Sequence, residues 1–239
     1  MSPERTAGTE FNYAAKPRVF LTVPNGDSTV HKSVAMRVIE LINDKRCEVT
    51  ASMPTHRPFV NNLHHCLNEF MGGNYDYWLT IDSDNPPIGT PLDLIENDLD
   101  VVGFPTPVFN DSQPETWPWY FNAYKWVSAK GEYTPMAGEG LTEVDAVGTG
   151  CVLFSRRVFR RPTMRNAPFA RMWHLDGTVN VGNDLAFCHR AKAVGLEIWC
   201  DFNRPCRHFI RTDLTSLIER VGEMAYGIGP DQSGHRTPG

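Results

Sequence analysis

The chain has 239 residues, enough for one large domain or two small ones, with 41% hydrophobic and 21% charged residues, an ordinary soluble globular balance. No apolar run approaches the length of a membrane span, which excludes a spanning protein and predicts no membrane partner. The formal net charge of -5 gives no global attraction to nucleic acid or anionic lipid, so any DNA contact needs a local basic patch.

Residues 1–17 read as a loose arm, polar and without the apolar core of a signal peptide. Residues 18–23 form a first strand, broken by Pro24-Asn25-Gly26-Asp27. Ser28 or Thr29 caps a helix whose apolar positions Val34, Val38, Ile39 and Ile42 recur at helical spacing. Residues 47–51 are a short second strand and 54–58 a loop. Residues 59–71 are a second helix with Leu63, Cys66, Leu67 and Phe70 on its inner face, ended by Gly72-Gly73-Asn74. An apolar run from Tyr75 then ends in Asp82-Ser83-Asp84. A short helix over 88–97 and a strand over 100–104 follow. This alternation predicts an α/β domain with a mainly parallel, doubly wound sheet.

Side chains alternate along a strand, so Asp82 and Asp84 point the same way. Two carboxylates held together repel unless a cation lies between them or they share a proton. Hard oxygen ligands at the carboxyl end of a strand suit Mg²⁺ or Mn²⁺ carrying a phosphorylated substrate. The plainer alternative is a polar turn, helped by Asn85-Pro86-Pro87.

Residues 109–136 are rich in Trp, Tyr and Pro, and 120–127 with 131–134 form a hairpin. Aromatics at this density line a sugar site or cover a sheet edge, and most of these rings read as cover. Residues 144–147, Gly148-Thr149-Gly150 and 151–154 form strand, glycine turn, strand. The turn lets backbone approach a ligand or makes a bulge. Arg156, Arg157, Arg160, Arg161, Arg165 and Arg171 form either a solvated face or a phosphate-binding surface. Residues 172–182 read as an irregular loop, 183–194 as a helix ended by Gly195, and 196–200 as a last strand leading toward His208. Residues 213–226 read as an amphipathic helix before a disordered tail. The six cysteines are scattered, without a Cys-x-x-Cys pair, and sit mostly in apolar segments, which reads as a reduced, cytoplasmic protein without structural zinc.

The loop after the first strand, Asp82-Ser83-Asp84, the segment from Gly148 to Arg157, Gly182-Asn183-Asp184 opening a helix, and His208 stand in one order. That order resembles the GT-A glycosyltransferases, particularly the compact family-two-like enzymes of bacteria and phages, over about residues 17–210. The resemblance implies a single domain over 18–210, with a nucleotide-binding half (18–104) and an acceptor half (105–210), then a C-terminal helix and tail (211–239). It implies Mn²⁺ or Mg²⁺ held by Asp82, Asp84 and His208 on the diphosphate of a nucleotide-sugar, a UDP-sugar first among them. Val23, Pro24, Asn25 and Asp27 would hold the nucleoside, with Arg57 and Asn62 at base or ribose. Asp82 and Ser83 would lie along the donor, and Gly148, Thr149 and Gly150 beside its sugar. The family's Glu-Asp pair reads Asn183-Asp184 here. Asp184 is therefore the general-base candidate, and inverting displacement is expected.

For the acceptor, the six arginines from Arg156 to Arg171, with Arg204, Arg207 and Arg211 later, lie on segments that flank Asp184, and with the phage resemblance they favour a hydroxymethylated pyrimidine in DNA, modified in the host cytoplasm, over a protein or glycan hydroxyl. A nucleotidyltransferase is the competing enzyme, but it usually carries a basic, glycine-rich loop where this chain has Pro24-Asn25-Gly26-Asp27. A metal-dependent nuclease fits the carboxylates and not the Gly148 segment. A non-catalytic sugar- or nucleic-acid-binding module is supported by Asn183 alone. Oligomeric state is not predicted.

Overall fold

A computed structural model describes residues 15–109, 119–173 and 179–210. The expectations for most of the N-terminal arm and for the helix and tail beyond Ile210 lie outside those residues. In chain order the elements are β1 (Arg18–Thr22), α1 (Lys32–Ile42), β2 (Glu48–Ser52), α2 (Phe59–Gly72) and β3 (Tyr77–Ile81). A 3-10 turn (Pro91–Asn97), β4 (Val101–Gly103), β5 (Pro107–Phe109), β6 (Trp119–Phe121), β7 (Ala123–Val127) and β8 (Glu132–Pro135) follow. Then come β9 (Leu141–Val144), β10 (Ala146–Val147), β11 (Cys151–Ser155), α3 (Pro162–Arg165), β12 (Met172–Trp173), β13 (Val179–Val181), α4 (Asn183–Ala193) and β14 (Ile198–Asp201).

The main sheet has seven strands in the order β2-β1-β3-β11-β4-β14-β9. β2, β1, β3, β4 and β14 run one way, and β11 and β9 run against them. The expected class, one α/β domain on a mainly parallel sheet flanked by helices, is the class observed. Alternation sends Val19, Leu21, Leu79 and Ile81 to one face, against Val34, Val38 and Leu41 of α1. Phe20, Trp78 and Phe154 go to the other, against Leu63 and Phe70 of α2 and Phe187 of α4. Val19, Leu21, Leu79, Ile81, Val101 and Val102 are all fully buried.

Several details differ from expectation. α1 is capped by His31, whose Nδ1 accepts from Ser33 N, and not by Ser28 or Thr29. Ser28 stands at φ 63, and Asp27 Oδ1 takes the Thr29 hydroxyl at 2.6 Å. Ile39 and Ile42 face solvent; Leu41 takes the buried position. The hairpin is β7 with β8, while Tyr120 belongs to β6 and pairs with β5. Residues 144–147 split between two sheets, because β9 edges the main sheet and β10 joins β7. Part of the expected loop over 172–182 is the β12–β13 pair. All six cysteines are buried and free, as small hydrophobes would be. No helix among the described residues is long and apolar enough to cross a membrane.

Candidate active site

β1 and β3 are parallel neighbours, so the loops at their carboxyl ends meet at one edge of the sheet. Between those loops and the start of α2 lies a cavity of about 560 Å³, lined by residues 24–27, 57–59 and 82–84. That volume suits a small-molecule site. Pro24, Asn25, Asp27, Arg57, Asp82, Ser83 and Asp84, dispersed in sequence, are thereby brought to one opening.

Two expected contact residues support this cavity from behind. Val23 is fully buried in the core. Asn62 is also fully buried, and its Nδ2 donates to Asn25 O and Pro54 O, both at 2.9 Å. It ties the two loops together and does not line the opening. Asn25 N also donates to Pro54 O at 3.1 Å, and Arg57 Nε donates to Gly26 O. Sequence reasoning missed Gly26, Pro58 and Phe59 on the cavity wall. Phe59 lies four residues before Leu63 and so reads as core, which it partly is.

Asp82 Oδ1 is buried with no hydrogen-bond partner. Burial, then repulsion from Asp84 and Asp184, pushes the Asp82 carboxyl up to about 7. The Asp82 backbone N–H donates to Gly150 O at 3.0 Å, which fixes the turn against the glycine segment. Asp84 is held by Asn85, whose amide, oriented to donate, reaches Asp84 Oδ1 at 2.9 Å.

His208 arrives on a short arm after β14. Cys206 N donates to Pro105 O at 2.8 Å, Arg207 N to Pro86 O at 3.0 Å, and Phe209 N to Asp84 O at 3.0 Å. His208 Nδ1 lies 2.8 Å from Pro107 O, and since a carbonyl only accepts, that nitrogen carries the proton. Nε2 is left facing Asp84 Oδ2 at 3.9 Å. A nitrogen lone pair facing a carboxylate at that distance suits a cation placed between them. The structure thus pairs Asp84 with His208. Among the described residues, however, no three His, Cys, Asp or Glu side chains are gathered closely enough to hold an ion. The expected convergence of Asp82, Asp84 and His208 on one cation is therefore not preassembled. A metal carried on substrate phosphates needs only one or two protein carboxylates, and the pair with the orphaned Asp82 oxygen fits that demand.

Asp184 lies in the first turn of α4, where the helix dipole favours its charge. Its Oδ1 accepts from Leu185 N at 2.9 Å. Burial outweighs that bond and raises its carboxyl above the usual range. Its repulsion of Asp82 places both acids in one electrostatic neighbourhood. Asn183, at the position where the resemblance implies an acid, is structural: Nδ2 donates to Phe169 O at 2.8 Å and Oδ1 accepts from Arg171 Nε at 3.3 Å.

Gly148 and Gly150 are buried, with Thr149 half-buried between them. A Cβ on Gly150 would stand 2.2 Å from Thr106 Oγ1, and one on Gly148 would stand 2.1 Å from Asn122 Nδ2. Close packing requires both glycines, whatever else approaches the turn.

The arginine segment is corrected most. β11 runs against β3 and carries Ser155 back to Tyr77, the end of the sheet opposite Asp82. Arg156 there donates to Phe70 O, Met71 O, Gly73 O and Tyr75 O at 2.9–3.2 Å, satisfying carbonyls at and beyond the end of α2. Arg157 pairs with Asp98 and Asp100 at 2.7 and 2.5 Å. Neither flanks Asp184. Arg204 is held by Asp93 at 2.7 Å, and Arg211 lies outside the described residues. Arg160, Arg161 and Arg165 are exposed. Of the aromatics, Trp119 and Trp126 are 52% and 37% exposed, while Tyr124 and Tyr133 pack on the core.

No protein-family model matches the chain, and no curated protein matches it. Solved structures do match. A197 from STIV aligns at 16% identity with a TM-score of 0.53, over 81% of this chain and 86% of that one. GalNAc-T7 with UDP, GalNAc and Mn²⁺ aligns at 9% identity with a TM-score of 0.49, over 83% of this chain and 44% of that one. Mannosyltransferase PcManGT from Pyrobaculum calidifontis, in complex with GDP-Man and Mn²⁺, aligns at 11% identity with a TM-score of 0.43, over 89% and 63%. What the chain shares with A197 is the fold.

Proposed function

We propose that this protein is a metal-dependent glycosyltransferase that moves a sugar from a nucleotide-sugar, with UDP-sugars as the first donors to test, to an acceptor hydroxyl with inversion. One observation carries the reading: a cavity of nucleoside size ends on Asp82-Ser83-Asp84, with Asp84 facing His208 Nε2. Pro24, Asn25, Asp27, Arg57 and the Phe59 ring would border the nucleoside. Asp84 and His208, with Asp82, would hold Mn²⁺ or Mg²⁺. When bound, the ion neutralises charge on the leaving diphosphate as a Lewis acid. Gly150 fixes the Asp82 turn so that the carboxylates are placed before the donor arrives. Asp184 takes the proton of the acceptor hydroxyl as it attacks, and its raised carboxyl makes it a better base near neutral pH than an ordinary aspartate.

The nucleotidyltransferase alternative predicts pyrophosphate chemistry on a nucleoside triphosphate and no sugar transfer. The experiment is a donor-hydrolysis screen with several sugar nucleotides and Mn²⁺, run beside nucleoside triphosphates with a sugar phosphate. Release of UDP from one sugar nucleotide supports the reading; pyrophosphate release alone refutes it. For the acceptor, the proposal of hydroxymethylated pyrimidine DNA now rests on Arg160, Arg161 and Arg165. It is tested by offering hydroxymethylcytosine-containing and unmodified duplex, then analysing nucleosides by mass spectrometry. Absence of a glycosylated nucleoside moves the assignment to a protein or glycan hydroxyl.

A further inference from the structure

We propose that His31 is a positioning residue that holds the two halves of the metal site in register, an inference that rests on reading Asp84 and His208 as the metal-binding pair. His31 touches the neighbour of each, Ser83 and Phe209. Its backbone N–H donates to Ser83 O at 2.8 Å, inside the turn that bears Asp82 and Asp84. Its ring stacks on Phe209, the neighbour of His208, with centroids 3.8 Å apart and planes 14° from parallel. Its Nδ1 accepts from Ser33 N at 3.2 Å and starts α1.

The arm carrying His208 is stitched at its start by Arg204 to Asp93, which also takes Arg46 at 2.7 Å. Beyond His208, the stack on His31 holds the arm. Phe209 N donates to Asp84 O, so movement of Phe209 moves the backbone that spaces Nε2 from the carboxylate. Losing an outer partner that orients a metal ligand typically costs 10–100-fold in affinity. His31 acts one step further out, so about tenfold is expected.

The cap and the stack are separable. His31→Asn keeps a strong N-cap acceptor and removes the ring. His31→Tyr keeps a flat ring for Phe209 and removes the cap. Phe209→Ala removes the stack from the other side. The measurements are Mn²⁺ affinity in the presence of UDP by titration calorimetry, amide hydrogen exchange over residues 206–209, and melting temperature. His31→Asn and Phe209→Ala are expected to weaken Mn²⁺ about tenfold and to speed exchange at Arg207 and Phe209, with melting temperatures near wild type. His31→Tyr is expected to melt lower yet keep Mn²⁺ affinity. Unchanged affinity and exchange in the first two variants, or a loss that follows melting temperature across all three, would overturn the proposal. If the wild type binds no Mn²⁺ with UDP, the metal reading itself fails. Exchange then decides the arm alone, and unaltered exchange in His31→Asn and Phe209→Ala refutes the role of His31.

Discussion

Burial and the neighbouring carboxylates make the charge on Asp82 costly in the unliganded site. Its folded carboxyl, at about 7, stands above the ordinary aspartate value near 3.9, so the folded state binds the extra proton between those limits. Stability contributed by this group is full below about pH 4 and is lost as pH rises through about 7. Under the proposed function a divalent cation takes the place of that proton. The rise in melting temperature on adding Mn²⁺ should therefore be larger at pH 8 than at pH 6, which differential scanning fluorimetry measures; an equal rise at both would separate Asp82 from the metal. Asp184→Asn keeps shape and removes basicity. It should leave donor binding intact and slow transfer by roughly 10²–10⁴-fold, measured as single-turnover rate. At this scale the carboxylates were legible as a pair, but not their setting: β3 ends at Ile81, so Asp82 and Asp84 sit in a turn where strand alternation no longer applies. His31 was not legible, because histidine is an uncommon cap and its partners lie 52 and 178 positions away, at Ser83 and Phe209.

At the scale of elements, direction mattered more than identity. Sequence order placed the arginines next to the glycine turn, but β11 reverses between β3 and β4 and carries Arg156 to the far end of the sheet. Composition does not reveal that reversal. Arg156→Ala should cost about 1–3 kcal/mol by stripping donors from carbonyls at the end of α2, seen in urea unfolding, and leave UDP binding unchanged. The helix faces were legible only where the sheet covers them. α2 buries Leu63, Cys66, Leu67 and Phe70 as read, whereas α1 turns Ile39 and Ile42 outward. The glycine turn was found by type, and its packing reason appears only in the fold. Gly150→Ala would press on Thr106 and the Asn85 amide, which holds Asp84. A destabilisation of about 1–3 kcal/mol is expected in the same unfolding measurement.

For the whole molecule, strand–helix alternation made the class of sheet and much of its core readable. The order β2-β1-β3 was implicit in short crossovers, while the insertion of β11 and the edge position of β9 depend on pairings between distant segments. The arrangement brings the 24–27, 57–59 and 82–84 loops around one cavity and leaves the arm of His208 against Asp84. Titration calorimetry of UDP into the wild type and Asp84→Ala, each with and without Mn²⁺, tests this account most directly. The account predicts UDP binding that depends on Mn²⁺ in the wild type and loses that dependence in Asp84→Ala. UDP binding indifferent to Mn²⁺, or Mn²⁺-dependent binding preserved in Asp84→Ala, would contradict it.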